Sequence, residues 1–587
     1  MRGNKLNKYG IFRKRKMLAT DKPVVFLDLE IGAESGQILD IGAVRSDGEK
    51  LHSPSKRDLQ RFLPGTGYIC GHNIVNHDLK YLENILSKTL DLRAIDTLYL
   101  SPLLFPERLS HALFKDEKLQ DGEWNNPVND CRKAEKLFRD EINAFFLLPS
   151  DIRRIFAALL YDHEEFKGFF QYIDFIPSDQ DTETLIKSVF SGKICENSDL
   201  QRLILEYPVE LAYALALINC GDRIAIPSWV VNTYPETGHM MEMLCNMPCE
   251  AGCDYCRQHF NVRKELKKIF GYDGFRTYGG KALQEEAVRA AVDGKSLLAV
   301  FPTGGGKSLT FQLPALMAGN TVHGLTVVIS PLQSLMKDQV DNLNAQGVVE
   351  AVTINGLLNE IERADAFRRI GDGLAVLLYI SPEQLRSRTI ERLLISRNVV
   401  RFVIDEAHCF SAWGQDFRVD YLYIGDFIKR LMKEKGSKSV IPVSCFTATA
   451  KQKVISDICD YFRKKLNLDI KVFAAEATRE NLRYKVIHEE TDAEKYNTLR
   501  NLISAKDCPT IVYVSRTRQT REIAQKLTAD GFPACPFNGQ MLSLIHIFIR
   551  HSRPYGSFMC IFTSKYVPLP VDSDDSTSTC GRCIKKT

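Results

Sequence analysis

The sequence predicts an α/β protein built on largely parallel sheets. Apolar runs at residues 24–27, 297–301 and 399–404 are typical of buried strands, and each ends in a loop of charged or glycine-rich residues. Helical periodicity follows the second run, at residues 309–317. Because the carboxyl ends of parallel strands meet at one edge of a sheet, these loops should place their polar residues along that edge.

The loop after residues 297–301 is typical of phosphate binding. Its backbone N–H groups can approach a phosphate chain, and the helix that follows directs its positive end at the same place. Lys307 can reach the terminal phosphates, and the Ser308 hydroxyl can ligate Mg²⁺. The alternative is an ordinary tight turn. The remaining loop residues in the predicted nucleotide site are Thr303, Gly304, Gly305 and Gly306.

A second strand, at residues 399–404, delivers an acidic pair to the same edge. Asp405 can hold Mg²⁺ through water, and Glu406 can polarise an attacking water. His408 can couple this site to a moving part of the protein. A third apolar run ends at Thr447, whose hydroxyl is placed to sense a γ-phosphate.

These motifs, together with DEAHCFSAWGQDFRVDY at 405–421, resemble superfamily-two helicases and more narrowly the RecQ family. The resemblance implies a RecA-like parallel-sheet motor that uses ATP and Mg²⁺. It also implies a 3′–5′ DNA helicase that acts in DNA repair or recombination, with single-stranded and 3′-tailed duplex DNA as its partners.

The same resemblance assigns further residues. Tyr272 or Arg276 would stack on adenine, and the Gln284 amide would pair with its edge. Hydroxyls and amides would hold strand phosphates, while aromatic side chains stack on unpaired bases. Core packing is the alternative for Trp413. The residues implied in DNA binding are Ser330, Gln333, Ser334, Ser381, Phe410, Trp413, Phe417 and Arg418.

Bulk composition limits the other classes of function. A chain of 587 residues predicts several domains, and a net charge of +4 predicts a local nucleic-acid surface at most. No apolar run is long enough for a bilayer span, which predicts no membrane partner. Sixteen scattered cysteines predict a reduced cytoplasmic protein in which some of the thiols form one metal site.

Residues 23–145 carry four spaced carboxylates. Asp28 and Glu30 end a predicted strand, while Asp78 and Asp130 fall in predicted helices. They resemble the acids of DEDD exonucleases, which implies an RNase H-like fold and two Mg²⁺ or Mn²⁺ ions. Surface carboxylates are the alternative. Asn125 stands where one subtype has its histidine base, so we expect weak nuclease activity or none.

Residues 146–262 predict a helical connector with crowded thiols. The cysteines Cys245, Cys249, Cys253 and Cys256 predict a tetrahedral Zn²⁺ site, with Cys220 or His259 able to replace Cys245. The alternatives are reduced, unligated thiols or a redox or iron–sulfur role.

The remaining boundaries follow the helicase resemblance. Residues 1–22 are predicted to be a basic leader, 263–470 a first RecA-like domain and 471–541 a partial second one. Residues 542–587 show no periodicity and are expected to be a non-native, disordered tail, so that this chain would be truncated and unable to unwind DNA. Two rival functions remain: a metal-dependent 3′–5′ exonuclease with an auxiliary motor, and a non-catalytic DNA-binding ATPase platform.

Overall fold

The computed structural model describes residues 22–32, 35–86, 93–108, 110–113, 126–221, 225–411, 418–436, 440–448, 451–475, 483, 485–505, 510–537 and 559–563. The chain forms two compact units, Met1–Ala477 and Thr478–Thr587. No helix in the described ranges is long and apolar enough to cross a membrane.

The first unit begins with a five-stranded mixed sheet in the order β3-β2-β1-β4-β5. Strand β2 runs antiparallel to β1 and β3, whereas β1, β4 and β5 are mutually parallel. A Cβ at Gly42 would lie 2.4 Å from the carbonyl carbon of Pro127, so this glycine lets the long helix α4 lie directly on β2. The elements are β1 (Val24–Ile31), β2 (Ile38–Arg45), β3 (Lys50–His52), α1 (Lys56–Phe62), β4 (Tyr68–Gly71), α2 (Asp78–Leu86), β5 (Arg93–Asp96), α3 (Thr97–Leu104) and α4 (Pro127–Leu147).

Within the described residues, nine helices then form the connector. The predicted boundary at residue 145 falls inside α4, and the connector shares one continuous core with the first sheet. Aromatic side chains such as Phe166, Phe169 and Phe170 are buried in that core. The helices are α5 (Ser150–Leu160), α6 (Glu164–Tyr172), α7 (Thr182–Val189), α8 (Leu200–Glu206), α9 (Pro208–Cys220), α10 (Ser228–Thr233), α11 (Thr237–Cys245), α12 (Asp254–His259) and α13 (Val262–Phe270).

The third part of this unit is a seven-stranded parallel sheet in the order β12-β6-β11-β10-β7-β9-β8. Its central strands are buried throughout, because helices cover both faces. The elements are α14 (Leu283–Val292), β6 (Leu297–Val300), α15 (Lys307–Val322), β7 (Leu325–Ile329), α16 (Gln333–Ala345), β8 (Ala351–Thr353), α17 (Glu360–Gly371), β9 (Leu377–Ile380), α18 (Arg388–Ile395), β10 (Val399–Ile404), α19 (Ile424–Lys435), β11 (Val443–Thr447), α20 (Gln452–Leu466) and β12 (Lys471–Ala474).

Strand β12 corrects a predicted boundary. The sequence interpretation assigned residues 471–541 to the next domain, but β12 pairs in parallel with β6 and completes the edge of the seven-stranded sheet. Only Phe473 of this strand is buried, so its apolar pattern was too weak to assign it to a sheet.

The second unit holds a three-stranded parallel sheet in the order β13-β15-β14. The predicted strand and helix at 511–527 are present. Strand β15, however, lies inside the segment expected to be disordered, and for those five residues that prediction is wrong. Its sequence, MCIFT, is rich in residues that favour a central strand. The elements are α21 (Asp492–Ser504), β13 (Thr510–Val514), α22 (Thr517–Ala529), β14 (Ala534–Phe537) and β15 (Met559–Thr563).

Candidate functional site

The glycine loop lies between β6 and α15, as predicted. Gly304 and Gly306 adopt left-handed φ angles of 75° and 83°, which other residues rarely accept. A Cβ at Gly306 would also lie 2.4 Å from Nε2 of Gln284, so no side chain fits there without movement. Lys307 and Ser308 begin α15 immediately afterwards, at the positive end of the helix. The loop therefore has the geometry of an anion-binding site.

Residues 276–284 hold this loop from one side. The carbonyl oxygens of Gly304, Gly305 and Gly306 accept hydrogen bonds from the Arg276 guanidinium, the Tyr278 hydroxyl and the Gln284 amide, in that order. The sequence interpretation missed Tyr278. The available signal was an aromatic residue six positions before the glutamine.

Tyr278 also supports the start of the loop. Its ring stacks on Phe301, with 4.8 Å between centroids and 19° between planes. The backbone N–H of Phe301 donates to the carbonyl of Thr447 at 3.1 Å, which joins the loop to the end of β11. The loop is thus held on one side by Tyr278 and on the other by the end of β11.

The adenine assignments fit less well. Both amide atoms of Gln284 are bound to backbone, because Oε1 accepts from Arg276 N at 2.7 Å and Nε2 donates to Gly306 O at 3.0 Å. Base recognition by Gln284 would require these bonds to open. Tyr272 is 49% exposed and stacks on Phe270, so its ring does not support the loop.

The acidic pair follows β10, where the sequence placed it. Burial, and next the charge of Glu406, raise the pKa of Asp405 to about 6 against the opposing effect of Lys307. The Asp405 backbone N–H donates to Ile329 O at 2.9 Å, and the Tyr421 hydroxyl donates to Asp405 O at 2.9 Å. A cation beside Asp405 would favour its ionised form.

Glu406 belongs to a short chain of hydrogen bonds. His408 Nδ1 lies 3.2 Å from Glu406 Oε2 and 3.1 Å from Thr447 Oγ1, so one Nδ1–H can serve both oxygens. Burial alone would raise the pKa of Glu406, but His408 and then Lys307 hold that pKa below its ordinary value. Glu406 is therefore ionised near neutral pH and can accept a proton from water. Thr447 contacts both this chain and the start of the glycine loop.

Comparison with known families agrees with this arrangement. Residues 281–458 match the family model for DEAD/DEAH box helicases. This segment is a DEAD/DEAH helicase domain. The chain is 35% identical over 284 residues to the ATP-dependent DNA helicase RecQ of Haemophilus influenzae, covering 48% of this chain and 42% of that protein. It is 34% identical over 315 residues to the probable ATP-dependent DNA helicase RecS of Bacillus subtilis, covering 54% and 59%.

The chain thus spans about half the length of these curated relatives. Among solved structures, the DUF1998 helicase MrfA bound to DNA is similar, with a TM-score of 0.39 and 16% identity over 55% of this chain and 52% of that one. A likeness at this level carries no argument about function.

The predicted DNA-binding residues of the helicase domain fall into different environments. Gln333 and Ser334 are exposed at the start of α16, whereas Ser330 and Ser381 are buried at the ends of β7 and β9. The Ser330 hydroxyl has no hydrogen-bond partner among the described residues. Arg418 is half-buried, with its guanidinium 3.4 Å from Pro331 O.

Phe410 does not fit the predicted base-stacking role. It is 5% exposed and packs against Tyr421, Tyr461 and Phe462, with centroids 4.7 to 5.3 Å apart. The assignment of Phe410 to DNA is therefore wrong in this structure, because α20 covers its ring. Trp413 and Phe417 lie outside the described residues.

The N-terminal sheet brings the predicted carboxylates together. Ligand oxygens of Asp28, Glu30 and Asp130 all lie within 4.8 Å of one another. Asp78 is adjacent and accepts from Leu29 N at 2.9 Å. Burial first, and then the carboxylates of Asp78, Asp130 and Glu30, raise the pKa of Asp28 to about 7, while burial raises that of Asp78 to about 7. Four crowded oxygen ligands fit a divalent cation.

The sequence interpretation placed no general base beside this carboxylate cluster. Asn125 lies outside the described residues. His72, which the sequence interpretation did not single out, is within electrostatic range of Asp130, although burial lowers its pKa to about 4. His111 is buried, and its Nδ1 lies 2.8 Å from Ser101 Oγ. Both imidazoles are therefore neutral near pH 7.

The thiol cluster differs from the predicted one. Its four sulfur atoms, all within 4.8 Å of one another, belong to Cys195, Cys249, Cys253 and Cys256. Cys245 was the wrong fourth member, because its thiol at the end of α11 faces Lys193 O at 3.5 Å. Neither Cys220 nor His259 belongs to the group.

Cys195 could not be recognised from local spacing. It reaches the cluster because its backbone N–H donates to Leu244 O at 2.8 Å, which joins the turn after α7 to α11. The backbone N–H of Cys253 and then the Asn197 amide lower the pKa of Cys249 to about 6, since both donate to its sulfur.

Proposed function

We propose that the chain is an ATP-dependent DNA helicase of RecQ type, which couples ATP hydrolysis to movement along single-stranded DNA. The observation that carries the proposal is the site formed at one sheet edge by the glycine loop, Asp405, Glu406, His408 and Thr447. The names of the curated relatives support the same activity. By resemblance, we further propose 3′–5′ polarity on 3′-tailed duplexes and a role in repair or recombination.

The donor set fits ATP with Mg²⁺. Lys307 and Ser308 begin the helix behind the loop, and Asp405 supplies a carboxylate beside them. When bound, Mg²⁺ would neutralise charge on the phosphates. Glu406 would accept a proton from the attacking water, with its position held by His408. Thr447, joined to both His408 and the loop, would report the state of the nucleotide.

DNA-stimulated ATP hydrolysis tests the motor. A Lys307→Ala variant should lose ATP affinity and DNA-stimulated hydrolysis, because the terminal phosphates lose their cation. Lys295→Ala is the matched control, since the side chain of this lysine is 59% exposed. Lys295 lies before the start of β6, whereas the glycine loop follows the end of that strand. Wild-type ATP affinity in Lys307→Ala would refute the site.

Strand displacement tests the helicase activity itself. Duplexes with a 3′ tail, a 5′ tail and no tail should be separated in that order of preference if the polarity is 3′–5′. Hydrolysis without displacement on any substrate would favour a DNA-binding ATPase platform instead. We also propose a cytoplasmic location, because no disulfide bond joins the described cysteines, as in a reducing compartment.

A second candidate function is metal-dependent 3′–5′ cleavage of single strands by the N-terminal domain. The observation that favours it is the close group of Asp28, Glu30 and Asp130, with Asp78 beside it. These acids would hold Mg²⁺ or Mn²⁺, and two such ions would activate water and stabilise the leaving oxygen.

Digestion of labelled single strands with Mn²⁺ tests this candidate. Asp28→Asn should abolish any digestion, whereas Glu49→Gln, which removes a carboxylate 58% exposed on the same domain, should not. Asn125→His should raise the rate if a general base is what the domain lacks, a role worth about 10²- to 10⁴-fold. Digestion that persists in Asp28→Asn would point to a contaminating nuclease.

A further inference from the structure

Four thiols from two distant segments converge in the connector. Cys195 lies after α7, whereas Cys249, Cys253 and Cys256 lie between α11 and the end of α12. The sulfur of Cys195 is 3.8 Å from that of Cys253, which is 58 residues away, and 3.6 Å from that of Cys256, which is 61 residues away. Three of the four residues are buried.

We propose that these four cysteines bind one Zn²⁺ ion. Zinc–sulfur bonds of about 2.3 Å in a tetrahedron place the sulfur atoms about 3.8 Å apart. The two sulfur–sulfur separations from Cys195, 3.8 Å and 3.6 Å, match that value. Four thiolates with no open position are typical of a structural rather than a catalytic zinc centre.

The backbone around the sulfurs suits thiolate ligands. Cys249 Sγ accepts from the Cys253 N–H at 3.4 Å and from Asn197 Nδ2 at 3.3 Å. Cys256 Sγ accepts from the Cys249 N–H at 3.4 Å. Four thiolates around Zn²⁺ leave a net negative charge, and N–H groups directed at sulfur offset part of it. These donors orient the ligands before a metal arrives.

The other uses of clustered thiols fit less well. In a multinuclear iron–sulfur cluster the thiolates bind different irons and surround the cluster, whereas here all four sulfurs lie within 4.8 Å of one another. A disulfide would pair two sulfurs at about 2.05 Å and leave the other two unused. No disulfide bond joins Cys195, Cys249, Cys253 and Cys256, and the spacing of their sulfur atoms suits a shared ion.

The location indicates what the ion would do. The thiol segment continues through α12 into α13, which packs on the phosphate-loop helix α15. Just before the segment, Asn246 Oδ1 accepts from Thr321 Oγ1 near the end of α15, at 3.0 Å. A zinc ion at this place would join Cys195 to the segment 249–256, which leads into α13 and so to the contact with α15. It would therefore stabilise the packing of this segment on α15 without taking part in ATP hydrolysis.

Metal analysis of the purified full-length chain tests the proposal. We expect one zinc per chain, and we expect Cys195→Ser to lose that zinc and to melt at a lower temperature. Cys245→Ala is the matched control, because Cys245 is a neighbouring buried thiol outside the cluster, and it should retain the metal. Loss of zinc in Cys245→Ala but not in Cys195→Ser would overturn the assignment.

Cobalt substitution covers the case in which Cys195→Ser fails to fold. The wild-type chain is first stripped of metal and then titrated with Co²⁺. It should show the absorption bands of tetrahedral thiolate ligation and saturate at one ion per chain. Added Zn²⁺ should then displace the Co²⁺. Cys220→Ser should give the same titration. Bands of octahedral Co²⁺, iron with inorganic sulfide in the purified chain, or no metal with four reactive thiols would each refute a zinc centre.

Discussion

Replacing Thr447 with valine tests the link between Glu406 and the glycine loop. The two side chains have nearly the same shape, and Thr447 is fully buried, so the change removes one hydroxyl and little packing. The backbone carbonyl that accepts from Phe301 N is kept. His408 Nδ1 would then donate to Glu406 alone, which should lower the pKa of that carboxylate further and make it a weaker base.

The size of the effect follows from the geometry. A neutral hydrogen bond of 3.1 Å contributes about 0.5 to 1.5 kcal/mol. Since about 1.4 kcal/mol corresponds to tenfold in rate, kcat for DNA-stimulated ATP hydrolysis should fall by roughly two- to twelve-fold. KM for ATP should change little, because Lys307 and the loop keep their contacts. The acidic limb of the kcat–pH profile should move to lower pH.

The assay is steady-state ATP hydrolysis with saturating single-stranded DNA, from about pH 3 to pH 9, a range that includes the ordinary pKa values of carboxyl and imidazole groups. Thr447→Ser is the matched control, because it retains the hydroxyl and should keep wild-type kcat. Wild-type kcat in Thr447→Val, or an equal loss in Thr447→Ser, would refute the coupling. A rise in KM with unchanged kcat would instead assign Thr447 to nucleotide binding.

Three further predictions concern the loop and the carboxylate cluster. Tyr278→Phe should raise KM for ATP several-fold, because one hydrogen bond to Gly305 is lost. Tyr278→Ala should raise KM for ATP more, because the ring that stacks on Phe301 is lost as well. Gly306→Ala should abolish ATP binding, measured with a fluorescent nucleotide, because the added Cβ needs a strained φ and meets Gln284; tight binding would contradict this geometry. The pKa of Asp28 is raised to about 7, so its protonated form favours the metal-free fold at low pH, and this stabilisation is lost as pH rises through 7. The melting temperature of the wild type relative to Asp28→Asn should therefore fall from pH 5 to pH 8. Mn²⁺ should restore more stability at pH 8 than at pH 5. No difference in pH dependence between these two proteins would refute the last prediction.

The local parts of the site were predictable because short sequences determine them. A buried strand, three glycines and a buried helix have few ways to arrange themselves, so Gly304 to Ser308 lie where the pattern placed them. The same holds for Asp405 and Glu406 after β10. Asp28, Glu30 and Asp130 also meet as predicted, since alternate residues of a strand share one face.

The misplaced residues all depend on partners distant in sequence. Cys195 joins its cluster through a hydrogen bond to Leu244, which no spacing pattern records. Phe410 belongs to the core because α20 returns across it more than forty residues later. The strand β12 has one buried side chain, and only its pairing with β6 shows where it belongs. Tertiary contacts, which propensity cannot express, decided each case.

The helix α15 joins these observations. Its N-terminus carries Lys307 to the phosphate loop, while Leu313, Met317 and Val322 on the same helix belong to the core shared by the N-terminal sheet and the connector. The connector therefore covers one side of the helix that begins with Lys307. Because a packed interface has discrete arrangements and deforms little, a change in the connector would be felt at the loop as a shift of the whole helix. The residues before 263 thus contribute to the core that supports α15. Three of the four clustered cysteines lie between the start of α11 and the start of α13, and both of these helices pack on α15.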